Sequence, residues 1–202
     1  IVHILRAPVG GLFRHVRDLA RAQADAGHRV GVVCDSNASD GLTETRLGAL
    51  APSLQLGLHR LAMSRDIGPS DVFAYRGICA LLARLGADVA HGHGAKGGAY
   101  ARLSAAAMSR KGRRIAAVYT PHGGSLHYAP TSPKGFVYMA LERRLAPMTD
   151  AIVFESAFSR DRFASQVAAP VRLTRVIPNG LLPSEFEHHA PAPDAADLLF
   201  VG

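Results

Sequence analysis

Short apolar runs alternate along this chain with stretches in which apolar residues recur every three or four positions, the periods of strands and helices. The run IVHIL at 1–5 predicts a strand. A Gly-Gly turn follows, then a helix with Leu12, Val16, Leu19 and Ala20 inward and Arg14, Arg17, Asp18 and Arg21 on the other faces. Gly27 supplies the left-handed stop that ends it. The run RVGVVC at 29–34 predicts a second strand, closed by turn-forming residues 35–41. The alternation then predicts a helix over 42–50, a strand over 54–60 and a helix over 70–85, with Val72, Ile78, Leu81, Leu82 and Leu85 inward. Strands at 87–93, 114–120, 151–154 and 172–178 follow, separated by helices at 97–110, 134–146 and 157–167, the last capped by Ser156.

Strands that are apolar almost throughout, each separated from the next by a helix, imply a parallel sheet covered on both faces. The expected fold is α/β: a Rossmann-like doubly wound parallel sheet of about seven strands, with ligands beyond the carboxyl ends of the strands. The stretch HHAPAPDAAD at 188–197 reads as an extended linker, and LLFVG at 198–202 as a strand with no helix to follow. The expected division is one domain over 1–187, then a linker and the first strand of a further domain over 188–202.

Composition narrows the function classes. A hydrophobic fraction of 48% supports a packed core and excludes a disordered chain. Cys34 and Cys79 sit in apolar runs without metal-type spacing and read as small buried hydrophobes in a reducing compartment. No stretch reaches the roughly 18 uncharged apolar residues of a membrane span, and the start carries no signal-peptide pattern. A cytoplasmic protein is expected. The net charge of +7 comes mainly from arginine, densest at Arg110, Lys111, Arg113 and Arg114 and again at Arg143 and Arg144. A solvated surface accounts for these runs; attraction to phosphates or to a membrane surface is the sharper alternative. Nucleic acid is not an expected partner, because no recognition motif is present and the basic residues are not interleaved with aromatics.

Four segments carry candidate chemistry. Gly10 and Gly11, between the first strand and helix, permit close backbone approach to a phosphate at a helix N-terminus, and serve equally as a tight turn. They do not form a dinucleotide fingerprint, since Arg14 stands where the third small residue would be needed, although Asp35 after the second strand mimics a ribose-binding acid. The loop TPHGGSLHY at 120–128 puts His122 and His127 at a strand's carboxyl end, where His122 is the better candidate for proton or hydrogen-bond chemistry. The run HGHG at 91–94 reads as a strand-end turn, with His91 and His93 expected on opposite faces, awkward for a shared metal, and His93 lining the cleft. Asn179 and Gly180 mark a sharp turn after the last strand, led in by Pro178.

In order, GGLFRHVRDLA (10–20), GHRV (27–30), DVAHGH (88–93), TPHG (120–123), DAIVFES (150–156) and VIPNG (176–180) with Phe186 and LLFVG resemble the N-terminal, acceptor-side domain of retaining glycosyltransferases of family 4. The resemblance spans the whole chain. It implies one half of a GT-B fold and transfer of a sugar from a nucleotide-sugar donor to an acceptor hydroxyl with retention. It implies no enzymic nucleophile, the leaving phosphate helping to deprotonate the acceptor. No cofactor and no metal are expected. His122 would contact a sugar hydroxyl near the reacting carbon. Gly10 and Gly11 would approach the donor phosphates or sugar, and Asn179 and Gly180 would shape the cleft floor. Arg14, His93, Gly123, Ser125 and His127 would face the acceptor, a sugar or a lipid-linked sugar, with peripheral contact at the inner face of the membrane. The donor-binding E-x7-E motif of such enzymes lies in a second domain, so this chain alone is expected to be inactive. A GT-B nucleotide-sugar epimerase would need paired carboxylates where this sequence has histidine and glycine, and a non-catalytic Rossmann-like binding module is the remaining alternative.

Overall fold

The computed structural model describes residues 1–188 except 38, 39 and 170, together with 190, 192 and 194. The strands are β1 (Val2–Leu5), β2 (Gly31–Asp35), β3 (Gly57–Leu61), β4 (Val89–His93), β5 (Ala116–Thr120), β6 (Ala151–Phe154) and β7 (Leu173–Val176). The helices are α1 (Gly10–Asp25), α2 (Gly41–Leu50), α3 (Ser70–Leu85), α4 (Gly94–Arg110), α5 (Pro133–Leu145) and α6 (Ala157–Gln166). The seven strands form one sheet in the order β3-β2-β1-β4-β5-β6-β7, parallel at every pairing. The chain runs outward from β1 to β3, then returns to build the other half from β4. That reversal leaves a crevice beyond the carboxyl ends of β1 and β4, the usual ligand position in such sheets. The doubly wound reading of the sequence is the observed fold.

Alternation along the strands assigns the two faces. Val2 and Ile4 of β1 join Ile78, Leu82, Ala101 and Ala105 of α3 and α4 in one core cluster. Leu5 instead joins Phe13, Val16 and Ala20 of α1 and Leu47 and Leu50 of α2 in another. A third cluster packs Tyr119 and Ile152 with Met139 of α5 and Phe163 of α6. Side-chain caps start three helices: Asp40 accepts from Thr43 N at 2.6 Å, Ser132 from Gly135 N at 3.0 Å, and Ser156 from Ser159 N at 3.1 Å.

Some expectations change. The buried stripe of α1 is Phe13, Val16 and Ala20; Leu12 and Leu19 lie at its half-exposed edges, one step around the helix. Val72 is 49% exposed because it sits in the first turn of α3, before that helix reaches the sheet. The HGHG run is no turn: β4 continues through His93 and α4 begins directly at Gly94, whose φ of +67° makes the junction. The expected strand at 198–202 lies outside the described residues.

Helix α4 lies unusually close to the sheet. A Cβ at Gly97 would stand 2.2 Å from the Ile4 carbonyl oxygen, one at Gly92 2.4 Å from the Gly97 carbonyl oxygen, and one at Gly98 2.2 Å from the Tyr119 ring. The first two obstacles are backbone, which cannot rotate away. Gly97→Ala should therefore destabilise the fold by about 3 kcal/mol or more, at the upper end of overpacking costs. Gly11→Ala meets nothing within 4 Å and keeps an ordinary φ, so it should be neutral or stabilise by up to about 1 kcal/mol. Urea unfolding of the two variants checks the contrast, and equal midpoints would refute it.

Candidate functional site

Because β1, β4 and β5 are neighbours, the polar residues along their α1-facing side come together. His91 and His93 lie on the same face, ring centroids 4.1 Å apart, which corrects the expectation that they diverge. Alternate residues of a strand share a face, and Gly92 between them is the residue turned toward α4. His3 of β1 lies tilted beside both, with centroids 5.2 Å from each. Hydrogen bonds link these rings into a line. Gln23 Oε1 of α1 lies 2.8 Å from His3 Nε2, His3 Nδ1 lies 2.9 Å from His93 Nε2, and His93 Nδ1 lies 3.1 Å from His122 Nε2. His91 Nε2 bonds Thr120 Oγ1 at 2.9 Å. His15 of α1 closes the group, its ring 5.0 Å from that of His122, with a side-chain hydrogen bond to Asn179.

Burial keeps these imidazoles neutral. Desolvation pulls His3 and His122 down to about 4 and holds His91 and His93 well below the ordinary range, with repulsion among the rings adding to it. His15 is lowered too, chiefly by desolvation, against the opposing pull of Asp18 and Glu155. Neutral imidazoles are also potential metal ligands. The available nitrogens of His3, His91 and His93, and those of His15, His93 and His122, lie within 4.8 Å of one another in each group. The hydrogen bonds above already engage both ring nitrogens of His3 and of His93.

His122 sits on strained backbone. Its φ of +50° is left-handed, a conformation costing a β-carbon residue on the order of 1–3 kcal/mol. The following loop is pinned by a buried ionic network that offsets this cost. Glu142 of α5 receives Arg102 Nη1 at 2.7 Å, Tyr119 Oη at 2.9 Å and Ser125 Oγ at 2.8 Å, and Arg102 stacks over the Tyr119 ring at 4.0 Å. Arg102 is fully buried and Glu142 nearly so. Next to His122, Gly123 has a φ of +73°, and a Cβ there would collide with the His127 ring.

The other candidates fall into place unevenly. Gly10 begins α1 with a φ of +65°, and neither it nor Gly11 has a neighbour within 4 Å of a would-be Cβ, so their edge faces open space. His127 is exposed and borders, with His122, Gly123, Glu155 and Arg162, a cavity of about 240 Å³. Asn179 and Gly180 are exposed, and Asn179 reaches the site through His15. Three acceptor candidates are otherwise engaged. Arg14 is paired with Glu185, Ser125 is 1% exposed and bonded to Glu142, and His93 is 1% exposed with both nitrogens taken. Asp35 is buried and accepts from Asn37 N at 3.0 Å and Met63 N at 2.8 Å, both through Oδ1, which holds the turn after β2. Within the basic runs, Arg113 bonds the Ala83 carbonyl, Arg114 pairs at the surface with Asp150, and Arg143 bonds the carbonyls of Gln166 and Val167.

The sequence reading missed His3, His15, Gln23 and Glu155. A histidine inside an otherwise apolar strand was the available signal for His3, and the helix-face spacing from Gly11 for His15. Glu155 ends β6 and accepts from Ser159 Oγ at 2.8 Å through one oxygen; its other oxygen is buried without a hydrogen-bond partner. Behind this site, an apolar groove of about 420 Å³ opens between α3, α4 and α5, walled by Val72, Tyr75, Leu103, Tyr138, Leu141 and Met148. It shares Ala95, Lys96 and Tyr138 with a cavity bordered by His93, Gly94 and Tyr128. Among the described residues, no helix is long and apolar enough to cross a membrane.

The sequence model of Glycosyltransferase Family 4 matches residues 9–184. No curated protein matches the chain in sequence. Among solved structures, a sucrose-phosphate synthase from Thermosynechococcus elongatus is similar, with TM-score 0.65 and 17% identity, over 96% of this chain and 50% of that one. A shorter chain of the same synthase matches with TM-score 0.56 and 15% identity, over 88% of this chain and 89% of that one. A glycosyltransferase from Rickettsia africae gives TM-score 0.62 and 12% identity, over 91% of this chain and 47% of that one. The chain thus has the fold of one half of a GT-B protein, and spans about half the length of the longer structures it matches.

Two stability predictions follow from these networks. Glu142→Gln leaves the Arg102 charge buried without its counter-ion and should cost about 3–5 kcal/mol, measured by urea unfolding. Unfolding frees the buried histidines to titrate near 6.5, whereas His3 and His122 titrate at about 4 when folded. The unfolded chain therefore binds more protons between those values, and stability is full above pH 6.5 and falls as pH drops toward 4. A urea midpoint that is the same at about pH 7.5 and about pH 5 would contradict this assignment.

Proposed function

The chain belongs to glycosyltransferase family 4, and from that premise we propose that it forms the acceptor-side wall of an enzyme moving a sugar from a nucleotide-sugar donor to an acceptor hydroxyl with retention. The observation that carries this reading is His122: a neutral imidazole on strained backbone, beyond the carboxyl end of β5, its ring 5.0 Å from that of His15 on α1. A neutral ring there accepts or donates a hydrogen bond without competing for the donor's phosphates as a cation would. A hydrogen bond to a sugar hydroxyl near the reacting carbon stabilises positive charge developing on the ring. Gly10 and Gly11 permit close approach of the diphosphate to the free N–H groups at the start of α1. Asn179 and Gly180 shape the floor, and the reaction in this reading runs without a metal or other cofactor. Among the described residues that line the His122 cavity, Glu155 is the one carboxylate, which disfavours a two-carboxylate epimerase.

The apolar groove running back from the cleft suits an acceptor with a hydrocarbon portion, such as a lipid-linked sugar in surface polysaccharide or glycolipid assembly. Exposed Phe73, Phe136 and Val137 near that groove suit peripheral contact with the inner face of a membrane. His127 and the neighbouring Tyr128 are the side chains best placed to meet the acceptor's sugar. Donor binding in this reading belongs largely to a second domain, so the 202-residue chain alone turns nothing over.

The test is transfer from a panel of nucleotide-sugars by a protein in which this chain is joined to a second domain of the family. His122→Ala should lower turnover by roughly 100-fold with an unchanged circular dichroism spectrum. Full activity in that variant would remove His122 from the reaction, and transfer by the 202-residue chain alone would refute the division of labour.

A further inference from the structure

The line Gln23–His3–His93–His122 runs from the half-exposed face of α1, through two buried rings, to the cleft. Each N···N contact between neutral imidazoles holds a single proton, so one ring donates and the next accepts. The direction at one end therefore propagates to the other. Gln23 presents its amide oxygen to His3 Nε2 at 2.8 Å, and an oxygen can only accept. His3 must then carry its proton on Nε2 and offer Nδ1 as acceptor. His93 donates its own Nε2 proton to that Nδ1 and offers its Nδ1 in turn. His122 donates from Nε2, and its Nδ1 is left as a lone pair.

We propose that Gln23 is a positioning residue that sets, through His3 and His93, which nitrogen of His122 carries the proton. The consequence rests on the proposed role of His122 and sharpens it. With Nε2 committed to His93, the free Nδ1 accepts, so its partner is a hydroxyl that donates and not a phosphate oxygen. A hydroxyl donating to a neutral imidazole gains electron density on oxygen, the sense required beside a developing oxocarbenium centre. Thr120 holds His91 at the side of the line, and His15 faces His122 without interrupting it.

Nitrogen-15 NMR of the ligand-free, histidine-labelled chain reads the protonation site of each ring and the couplings across N–H···N hydrogen bonds. At neutral pH, His3, His93 and His122 should each show a bare Nδ1, with couplings between His3 Nδ1 and His93 Nε2 and between His93 Nδ1 and His122 Nε2. Gln23→Lys replaces the acceptor by a group that can only donate. It should invert the line, moving the His122 proton to Nδ1 and shifting its tautomer ratio by about tenfold or more. Absent couplings, or the same His122 tautomer in both proteins, would overturn the proposal. Should only the sugar-binding role be wrong, the couplings and the inversion would persist while His122→Ala left transfer intact.

Discussion

The depth at which α4 rests on β1, β4 and β5 governs the architecture around the cleft. Gly92, Gly97 and Gly98 allow backbone to meet backbone where any side chain would hold the layers apart. Gly92 turns its bare face toward α4, so the alternation of the strand sends His91 and His93 to the opposite face, against His3. The same seating lays Arg102 of α4 across the Tyr119 ring and within reach of Glu142 on α5. One close approach therefore organises both polar systems of the domain, one on each side of the sheet.

The two systems solve burial differently. On the α4 side, a full charge pair is buried, and Tyr119 and Ser125 satisfy the carboxylate so that the charge stays compensated. That pair ties the loop carrying His122 to α5, where loss of one partner leaves the other stranded. On the α1 side desolvation outweighs the pull of Asp18 on His15 and of Glu155 on His15 and His122, so the imidazoles are neutral and satisfy one another in sequence. A neutral chain has a direction, whereas an ion pair does not. Orientation information can thus pass from α1 to the cleft without any group changing charge.

The cleft edge is correspondingly asymmetric. Toward β1 it presents an open glycine entry to a helix; toward β5 and β6 it presents the imidazole of His122 with Glu155 nearby; and behind lies an apolar groove. Gly10 and Gly11 face open space there, and Asn179 and Gly180 are exposed.

Periodicity alone was enough for the sheet. Continuous apolar runs at β1, β2, β4 and β5, with helices between them, permit little besides a covered parallel sheet, and local signals such as Ser156 and Gly86 mark helix ends because capping is a short-range interaction. His122 stood out in the sequence because a histidine in a glycine-rich loop after a central strand is a poor structural residue, whereas Gly10 and Gly11 read equally as a tight turn. Which side chains support them was not legible. His3, Gln23, His93 and His122 come from four separate segments, and only the strand order β1-β4-β5, with α1 lying across it, brings their nitrogens to about 3 Å. The pairings of Arg14 with Glu185 and of Ser125 with Glu142 were equally out of reach of the sequence, because the partners are remote along the chain. Burial and pairing are properties of the packed molecule. Local pattern settled the elements and their order; packing settled which polar groups lie exposed at the cleft and which are buried in bonds to one another.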